Sequence, residues 1–451
     1  MINSSKFRLL AALALISAAG CKGDFLTGGD LSNDPNRPGV ASAQQLFTGV
    51  QSNLWALWGS DLARVTGMWA QQFQGIISQY ATLEQYAHDE TTTGGFQQGL
   101  YSGGGLIDLS NLDPLAVKAN DKHMLGTSQI LEGAIMGTGA DLFGDLVYSQ
   151  ALTGKPNPVL DKQAAVYDSV QKILSAGITN LQSNTATDIG PGAYDLNYGG
   201  DPAAWTRAAH TLKARFYMHT AKTNANAYSL ALQEVPLGLN DPAIDYKGVF
   251  QAVPQAETNF YFQFNGPAGR GGYMGDNPFL INLLVSRNDP RLNDYFDTAA
   301  NYLSSTRNAP NYQQTFVSTT ENLLIWAEAA FRTGDPATAI VKFQQYRALV
   351  GLSGNIPPAG PALLTEILTE EYINDFQLGE EAWNLYKRTC FPNLVPTVST
   401  LKIPRRFYYD TGERQTNTNI PAAGSGINAA FNQDDPAAVN SDGGNGVCAG
   451  Q

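Results

Sequence analysis

The apolar side chains of this chain recur mainly with the 3.6-residue period of an α-helix. One predicted helical face contains Leu46, Val50, Leu54, Leu57 and Trp58, and a second contains Val65, Met68, Trp69, Phe73 and Ile76. Further helical patterns cover residues 123–152, 161–181, 201–233, 321–350 and 361–388, the last as one helix from Pro361 to Arg388. Only Thr258 to Phe264 has a strand-like pattern. The sequence therefore predicts a mainly α protein.

The ends of these helices carry capping signals, and their faces carry small residues. Asp201-Pro202 supplies an N-cap and a first-turn proline, and Asp335 is the predicted cap of the helix that follows Thr333-Gly334. Small residues between Gly126 and Ala140 predict a closely approaching partner helix.

Helices in consecutive pairs raise the question of repeats. The pair at 321–350 places Ala327, Ala339 and Phe343 at the small-residue and A-x3-F positions of a tetratricopeptide repeat, although the tryptophan and tyrosine positions differ. The pairs at 123–181 and 201–233, and the helix at 361–388 with its neighbour, have similar size. Such units bury a core by stacking, which predicts one continuous scaffold.

The first residues have the organisation of a lipoprotein signal. Lys6 and Arg8 precede an apolar run from Leu9 to Ala19, which is too short to span a bilayer of roughly 30 Å. The run ends in Ala18-Ala19-Gly20-Cys21, which resembles a bacterial lipobox. This pattern predicts lipidation of Cys21 and an anchored, non-spanning protein; a plain signal peptide is the alternative.

These observations divide the chain into three parts. Residues 1–20 are the predicted signal peptide, and residues 21–40, rich in Gly, Asp, Asn and Pro, are a flexible tether. Residues 41–451 are predicted to form one α-helical domain. Its loop-rich parts, at about 240–319 and 391–451, are long enough to be functional.

The charge of the chain excludes one class of function. It has 28 basic and 40 acidic residues, a net charge of −12, and only 15 % charged residues among 451. Because nucleic-acid binding needs a clustered basic face, and no basic run exceeds Arg405-Arg406, this function is excluded.

The other two cysteines are Cys390 and Cys448. In an oxidising compartment they are candidates for a disulfide closing a loop of roughly 60 residues, which stabilises by about 4 kcal/mol in the chain-entropy model. Two unpaired thiols are the alternative. Neither cysteine has a neighbouring histidine, so a catalytic thiol is not indicated.

The residue inventory also argues against an enzyme. The four histidines, His88, His123, His210 and His219, include no pair at i, i+4. The sequence contains no H-E-x-x-H, C-x-x-C, G-x-S-x-G or P-loop motif, so metal, nucleophilic and nucleotide chemistry have no recognisable site. His210 and His219 are expected to be satisfied polar groups on a packed helix.

Several short motifs follow one another along the chain: Asn33-Asp34-Pro35-Asn36, Gly144-Asp145, Ala204 to Arg215, Asn288-Asp289-Pro290-Arg291-Leu292, Glu371 to Leu385, and Ile403-Pro404-Arg405-Arg406-Phe407-Tyr408-Tyr409. In these motifs and their order the chain resembles, across residues 21–420, the SusD/RagB family of outer-membrane nutrient-binding lipoproteins. Among the motif residues, Arg291, Arg405 and Arg406 are expected to form buried ion pairs and not to contact ligand.

The resemblance implies four tetratricopeptide-like helix pairs forming a scaffold, packed against an irregular, loop-rich ligand-binding face. It implies a non-enzymatic lipoprotein facing outward from the outer membrane, which passes oligosaccharide to a SusC-like TonB-dependent transporter. It implies no cofactor, and the sequence does not indicate a bound structural cation.

Two loop segments combine the aromatic and polar side chains that bind sugars. Residues 79–90 contain the candidates Tyr80, Tyr86 and Asp89, and residues 265–277 contain Arg270, Tyr273, Asp276 and Asn277. Three hypotheses remain: glycan capture through an aromatic loop-built cleft, peptide capture by the same complex, and a protein-docking scaffold with an open apolar helical face.

Overall fold

The computed structural model describes residues 41–91, 94–265, 269–398 and 403–421. The predicted lipidation site at Cys21, the tether and Cys448 lie outside the described residues. The mainly α prediction is confirmed from the first elements onward. These are α1 (Ala43–Gly59), α2 (Asp61–Trp69), α3 (Ser78–Glu84), α4 (Gly94–Tyr101) and α5 (Leu106–Ala119).

The next four helices form two of the predicted pairs: α6 (Lys122–Phe143) with α7 (Gln163–Leu181), and α8 (Pro202–His219) with α9 (Ala227–Glu234). The small residues of α6 permit the predicted close approach. A Cβ added at Gly126 would lie 2.8 Å from the carbonyl oxygen of Gly177, and one at Gly137 would lie 2.2 Å from the ring of Phe216. The backbone of α8 begins at Asp201, whose carboxylate accepts the N–H of Ala203 as predicted.

The segment between the second and third pairs is irregular but contains three short 3-10 helices (Val235–Leu237, Pro242–Ile244 and Gln255–Glu257) and three short α-helices, α10 (Phe260–Asn265), α11 (Pro278–Ser286) and α12 (Leu292–Tyr295). The prediction of a strand at Thr258 to Phe264 is wrong. Residues 260–265 are helical because a single turn buries Tyr261 and Phe264 together, at i and i+3 spacing, in the core.

The described strands are short and form three two-stranded antiparallel sheets, β1 with β3, β2 with β6 and β4 with β5. Their bounds are β1 (Phe73–Gly75), β2 (Tyr246–Gly248), β3 (Met274–Asp276), β4 (Phe296–Asp297), β5 (Tyr302–Leu303) and β6 (Gln314–Val317). The β1–β3 sheet joins the irregular segment to the chain after α2, and the other two sheets pair strands within the irregular segment. Phe73 and Ile76, predicted on a helical face, lie on and directly after β1 instead.

The third and fourth pairs are α13 (Thr319–Arg332) with α14 (Pro336–Leu349), and α15 (Pro361–Asn374) with α16 (Glu381–Thr389); α17 (Thr411–Thr416) follows. Asp335 caps α14 by accepting the N–H of Thr338. The continuous helix predicted from Pro361 to Arg388 is wrong, because a turn with positive φ at Gln377 (62°) and Gly379 (58°) separates α15 from α16.

The core contains Trp69, Trp205 and Trp383. Trp69 stacks on Phe407 with ring centroids 4.7 Å apart, which joins α2 to the segment after α16. The predicted buried ion pair of Arg291 is confirmed, with Asp289 and Glu370 as partners; Arg405 and Arg406 are almost completely buried, as predicted. Among the described residues, every helix is too short or too polar to cross a bilayer.

Candidate functional site

Pairing of β1 with β3 brings the two predicted loop segments together. Phe73 lies opposite Asp276, and Gly75 lies opposite Met274. The N–H of Ile76 extends the ladder by donating to the carbonyl oxygen of Tyr273 at 2.8 Å. Segments about 200 residues apart in sequence therefore share one surface.

Two glycines make this pairing possible. A Cβ at Gly75 would lie 2.1 Å from the carbonyl oxygen of Tyr80, so the chain turns back on itself there without room for a side chain. A Cβ at Gly275 would lie 2.7 Å from both the amide nitrogen of Asn301 and Cδ1 of Ile76. These two side chains consequently meet above the backbone of β3.

We define the Tyr273 surface by the exposed or half-exposed side chains around this point: Ile76, Ile77, Gln79, Arg270, Tyr273 and Asn301. Ile76 and Ile77 are unusually exposed for isoleucine, at 38 % and 48 %. Asn301 reaches the surface from the turn of the β4–β5 hairpin. An apolar patch is therefore bordered by amide and guanidinium groups.

A buried aromatic ring supports the surface from below. The ring of Phe264 contacts Tyr80 edge-on at a centroid distance of 4.7 Å and Tyr273 at 6.2 Å. The guanidinium carbons of Arg64 and Arg270 lie 4.6 and 5.4 Å from its centroid. Since cations are attracted to aromatic faces, Phe264 fixes both arginines and positions Tyr273.

The structure places three of the predicted site residues in the interior. Tyr80 is 1 % exposed, and its hydroxyl donates to Asp61 and accepts from Nε of Arg64. Tyr86 is buried, and its hydroxyl accepts the N–H of Thr397. Burial raises the pKa of both tyrosines. Their prediction as direct ligand contacts is wrong, because both side chains are buried and both hydroxyls are hydrogen-bonded within the fold.

Asn277 is the third of these residues. It is buried, its amide donates to the carbonyl oxygen of Phe73 at 3.0 Å, and its side-chain oxygen caps α11 by accepting the N–H of Phe279. Asn277 therefore locks β1 to β3 from a buried position.

The remaining four predicted residues lie at or near the surface. Arg270 and Tyr273 belong to the Tyr273 surface. Asp276 is half-buried at the end of β3, where burial raises its pKa. Asp89 is exposed, and its carboxylate accepts from the N–H and hydroxyl of Thr91; its segment is held towards Thr397 by Tyr86 and is not part of the Tyr273 surface.

Sequence reasoning missed Ile76, Ile77 and Asn301. The only signal for the isoleucines was an apolar pair between Gly75 and the polar Ser78-Gln79, which fitted a buried face equally well. Asn301, with φ of 54°, is in the left-handed region that asparagine tolerates in tight turns. Asn301 comes close to Ile76 only in the folded protein, so the sequence around either residue does not indicate the contact.

The chemistry of the Tyr273 surface is that of binding. Apolar C–H faces can stack on Tyr273 and the isoleucines, while Gln79, Arg270 and Asn301 can exchange hydrogen bonds with hydroxyl or amide groups. Within the four described ranges, no group of three or more His, Cys, Asp or Glu side chains is arranged to hold a metal ion. Cys390 is disulfide-bonded, and its predicted partner Cys448 lies outside those ranges.

Comparison with protein families gives a match over residues 35–324 to a SusD-like family described as "Starch-binding associating with outer membrane". The matched residues include α1 to α9, the three sheets and the whole Tyr273 surface. Comparison by sequence with curated proteins finds no match.

Solved structures share the fold. A SusD/RagB family protein from Bacteroides thetaiotaomicron is 19 % identical with a TM-score of 0.70, covering 84 % of this chain and 95 % of that one. A chitin-binding SusD homolog from Flavobacterium johnsoniae is 17 % identical with a TM-score of 0.67, covering 83 % and 92 %. A SusD homolog from Bacteroides uniformis is 20 % identical with a TM-score of 0.66, covering 83 % and 95 %.

Proposed function

Because the chain belongs to the SusD-like family, whose members are outer-membrane-associated binding proteins and not enzymes, we propose that it captures a glycan through the Tyr273 surface. The observation that carries this proposal is the meeting of Ile76, Tyr273 and Asn301 at the β1–β3 pairing. One side chain offers an aromatic face, one an exposed aliphatic face and one an amide.

A sugar ring is amphipathic, with C–H groups on its faces and hydroxyls at its rim. Stacking on Tyr273 buries the faces, and Asn301, Gln79 and Arg270 lie at the border of the patch, where rim hydroxyls would be. Both partners keep their hydrogen bonds while apolar area is removed from water. Neither a cofactor nor a structural cation enters this scheme.

The ligand class is supported at the level of the family. The matched family is described as starch-binding, and one relative of known structure is chitin-binding. Both ligands are neutral polysaccharides, and the Tyr273 surface has one cationic group, Arg270, among uncharged ones. We therefore propose a neutral polysaccharide or oligosaccharide as the ligand.

We further propose that Cys21 carries the lipid that holds residues 41–451 at the outer membrane through the tether of residues 21–40, facing outward. In this arrangement the protein passes its glycan to a SusC-like TonB-dependent transporter. Cys21→Ser is expected to move the protein from the membrane fraction to the soluble fraction, whereas persistence in the membrane fraction would contradict the anchor.

The glycan proposal is tested with the protein from Ser32 onward, run through native gels that contain starch, glycol chitin or other neutral polysaccharides. Retardation by one polysaccharide, lost in the Tyr273→Ala variant, is the expected result. A peptide mixture titrated by calorimetry is the parallel measurement. Heat from peptides without retardation would replace glycan capture by peptide capture, and no response in either would contradict both.

A further inference from the structure

A second concavity lies between the irregular segment and the helix pairs. It encloses about 420 Å³. It is bordered by α12, β6 and the turn between α15 and α16, and it is separate from the Tyr273 surface. Its volume lies within the range of small-molecule sites, roughly 300–1,000 Å³. We call it the Arg307 cleft.

Arg307 is fixed at the wall of this cleft. Its guanidinium carbon lies 4.3 Å from the ring centroid of Tyr295 and 5.6 Å from that of Tyr312. Its Nη2 donates to Asp294 at 2.7 Å, and its Nη1 donates to Oε1 of Gln377 at 3.2 Å. The charge of Arg307 is thus neutralised within the protein, and its orientation is set before any ligand arrives.

Gln377 provides the decisive observation. The residue is 4 % exposed, and its amide nitrogen has no hydrogen-bond partner, although its side-chain oxygen is used by Arg307. A buried amide N–H without a partner is unfavourable, because the hydrogen bond it made to water is not replaced. The residue is held in this position by a left-handed backbone, with φ of 62°, at a turn lining the cleft.

The other polar groups of the cleft are suited to a neutral ligand. Thr315 and Asn374, both half-buried, line it with a hydroxyl and an amide. Arg291, also at the wall, is paired with Asp289 and Glu370. Asp245 is at the wall as well; burial raises its pKa to about 6, and it accepts from the N–H and hydroxyl of Thr319. No cation at this wall is left to recognise an anionic ligand.

We propose that the Arg307 cleft is a second binding site, for a short neutral saccharide, with the free amide N–H of Gln377 donating to a ligand oxygen. Thr315 and Asn374 supply further hydrogen bonds. The cleft holds one or two sugar units, in contrast to the Tyr273 surface, which is open to a longer chain. The inference does not depend on the Tyr273 surface binding a polysaccharide, since the two sites share no lining residue.

The test is calorimetric titration of the full detergent-solubilised chain with glucose, maltose, N-acetylglucosamine and N,N′-diacetylchitobiose. Wild type is expected to bind at least one of them. Gln377→Glu keeps the size of the side chain and the oxygen that accepts from Arg307 but removes the amide donor, so affinity should fall at least tenfold. Gln344→Glu adds the same charge on the exposed face of α14 and should bind as wild type does.

Thr315→Val provides a second variant with an unchanged shape, and its affinity should fall several-fold even where Gln377→Glu impairs folding. The proposal would be overturned if wild type bound none of the four saccharides. It would also be overturned if both single variants, Thr315→Val and Gln377→Glu, bound with unchanged affinity. Loss of this binding in Tyr273→Ala would also overturn it, by locating the short saccharide on the Tyr273 surface. If polysaccharides failed to retard the protein in gels, the calorimetric result for short saccharides in the Arg307 cleft would still stand.

Discussion

Nδ1 of His219 lies 2.8 Å from Oδ1 of Asp141, in the interior between α6 and α8. On the other side of the ring, Nε2 lies 3.0 Å from Oε2 of Glu381 on α16. Burial alone would lower the pKa of His219, but the two carboxylates outweigh it and raise the pKa to about 9. A single imidazolium therefore joins three helices from three of the pairs.

This arrangement predicts a pH-dependent contribution to stability. Because the pKa of His219 is raised from 6.5, its contribution is fully present below pH 6.5 and is lost as the pH rises through about 9. The difference in unfolding free energy between wild type and His219→Gln should be about 3 kcal/mol at pH 6 and should shrink towards pH 9.5. Urea denaturation at several pH values measures it.

The matched control for this measurement is Tyr273→Ala, which changes no group near His219. Its difference from wild type should not vary with pH over the same interval. A constant difference for His219→Gln would show that the imidazole is neutral in the folded protein.

Arg215 on α8 is predicted to be essential for stability. Its Nη2 donates to Glu321 at 2.7 Å and to the carbonyl oxygen of Phe316 at 2.6 Å, and Nη1 lies 3.7 Å from Glu381. Arg215→Met leaves two buried carboxylates without this partner, so the free energy of unfolding should fall by about 3–5 kcal/mol. Adding Glu321→Gln should restore part of it. The exposed Arg270→Met is the control and should change stability by less than about 1 kcal/mol.

Gly75 is predicted to tolerate no side chain. Its missing Cβ allows the carbonyl oxygen of Tyr80 to approach, so Gly75→Ala should displace the segment from Ile76 to Tyr80 and lower the free energy of unfolding by more than about 2 kcal/mol. Gly49→Ala provides the contrast. It lies in α1 with no atom near its added Cβ, and should stabilise by about 0.5–1 kcal/mol. Equal effects of the two changes would contradict the close contact.

Binding at the Tyr273 surface is predicted to depend on both its aromatic and its apolar side chains. Tyr273→Ala and Ile77→Asp should each weaken retardation by polysaccharide at least fivefold while leaving the thermal unfolding midpoint within a few degrees of wild type. Tyr194→Ala removes a more exposed tyrosine elsewhere, which is 49 % exposed, and should leave binding unchanged. If Tyr194→Ala weakened polysaccharide binding while Tyr273→Ala and Ile77→Asp did not, the binding site would lie away from the Tyr273 surface.

The helix pairs could be predicted from sequence because helical spacing and capping residues are visible within a single short segment. In α8, Trp205, Ala209, Leu212 and Phe216 face the core with helical spacing, and Asp201 marks the start. The break between α15 and α16 could not be predicted, since Gln377 adopts a conformation that glycine normally supplies. Likewise, the run from Thr258 to Phe264 mixes aromatic and polar residues in a pattern that fits a strand or a helical turn, and only its packing decides for a helix.

The candidate site was predicted only in part, because Arg270 and Tyr273 lie on the Tyr273 surface whereas Ile76, Ile77 and Asn301 lie outside both predicted segments. Residues 79–90 and 265–277 were selected by composition, which cannot distinguish a tyrosine that is partly exposed, such as Tyr273, from one that is buried against Arg64, such as Tyr80. That distinction depends on the pairing of β1 with β3. The two strands are about 200 residues apart, and the hydrophobic pattern of neither segment indicates that they pair.

The β4–β5 hairpin carries Asn301 at its tip, while its base is anchored near Asp294, where Ser304 donates to the carbonyl oxygens of Tyr295 and Asp294. The turn residues between Asp297 and Asn301 are exposed, and the N–H groups of Ala299 and Ala300 bond back to Asp297. Lengthening or shortening this turn would relocate the amide without disturbing the paired strands. Ligand preference is therefore open to evolutionary change by small insertions, at little risk to folding.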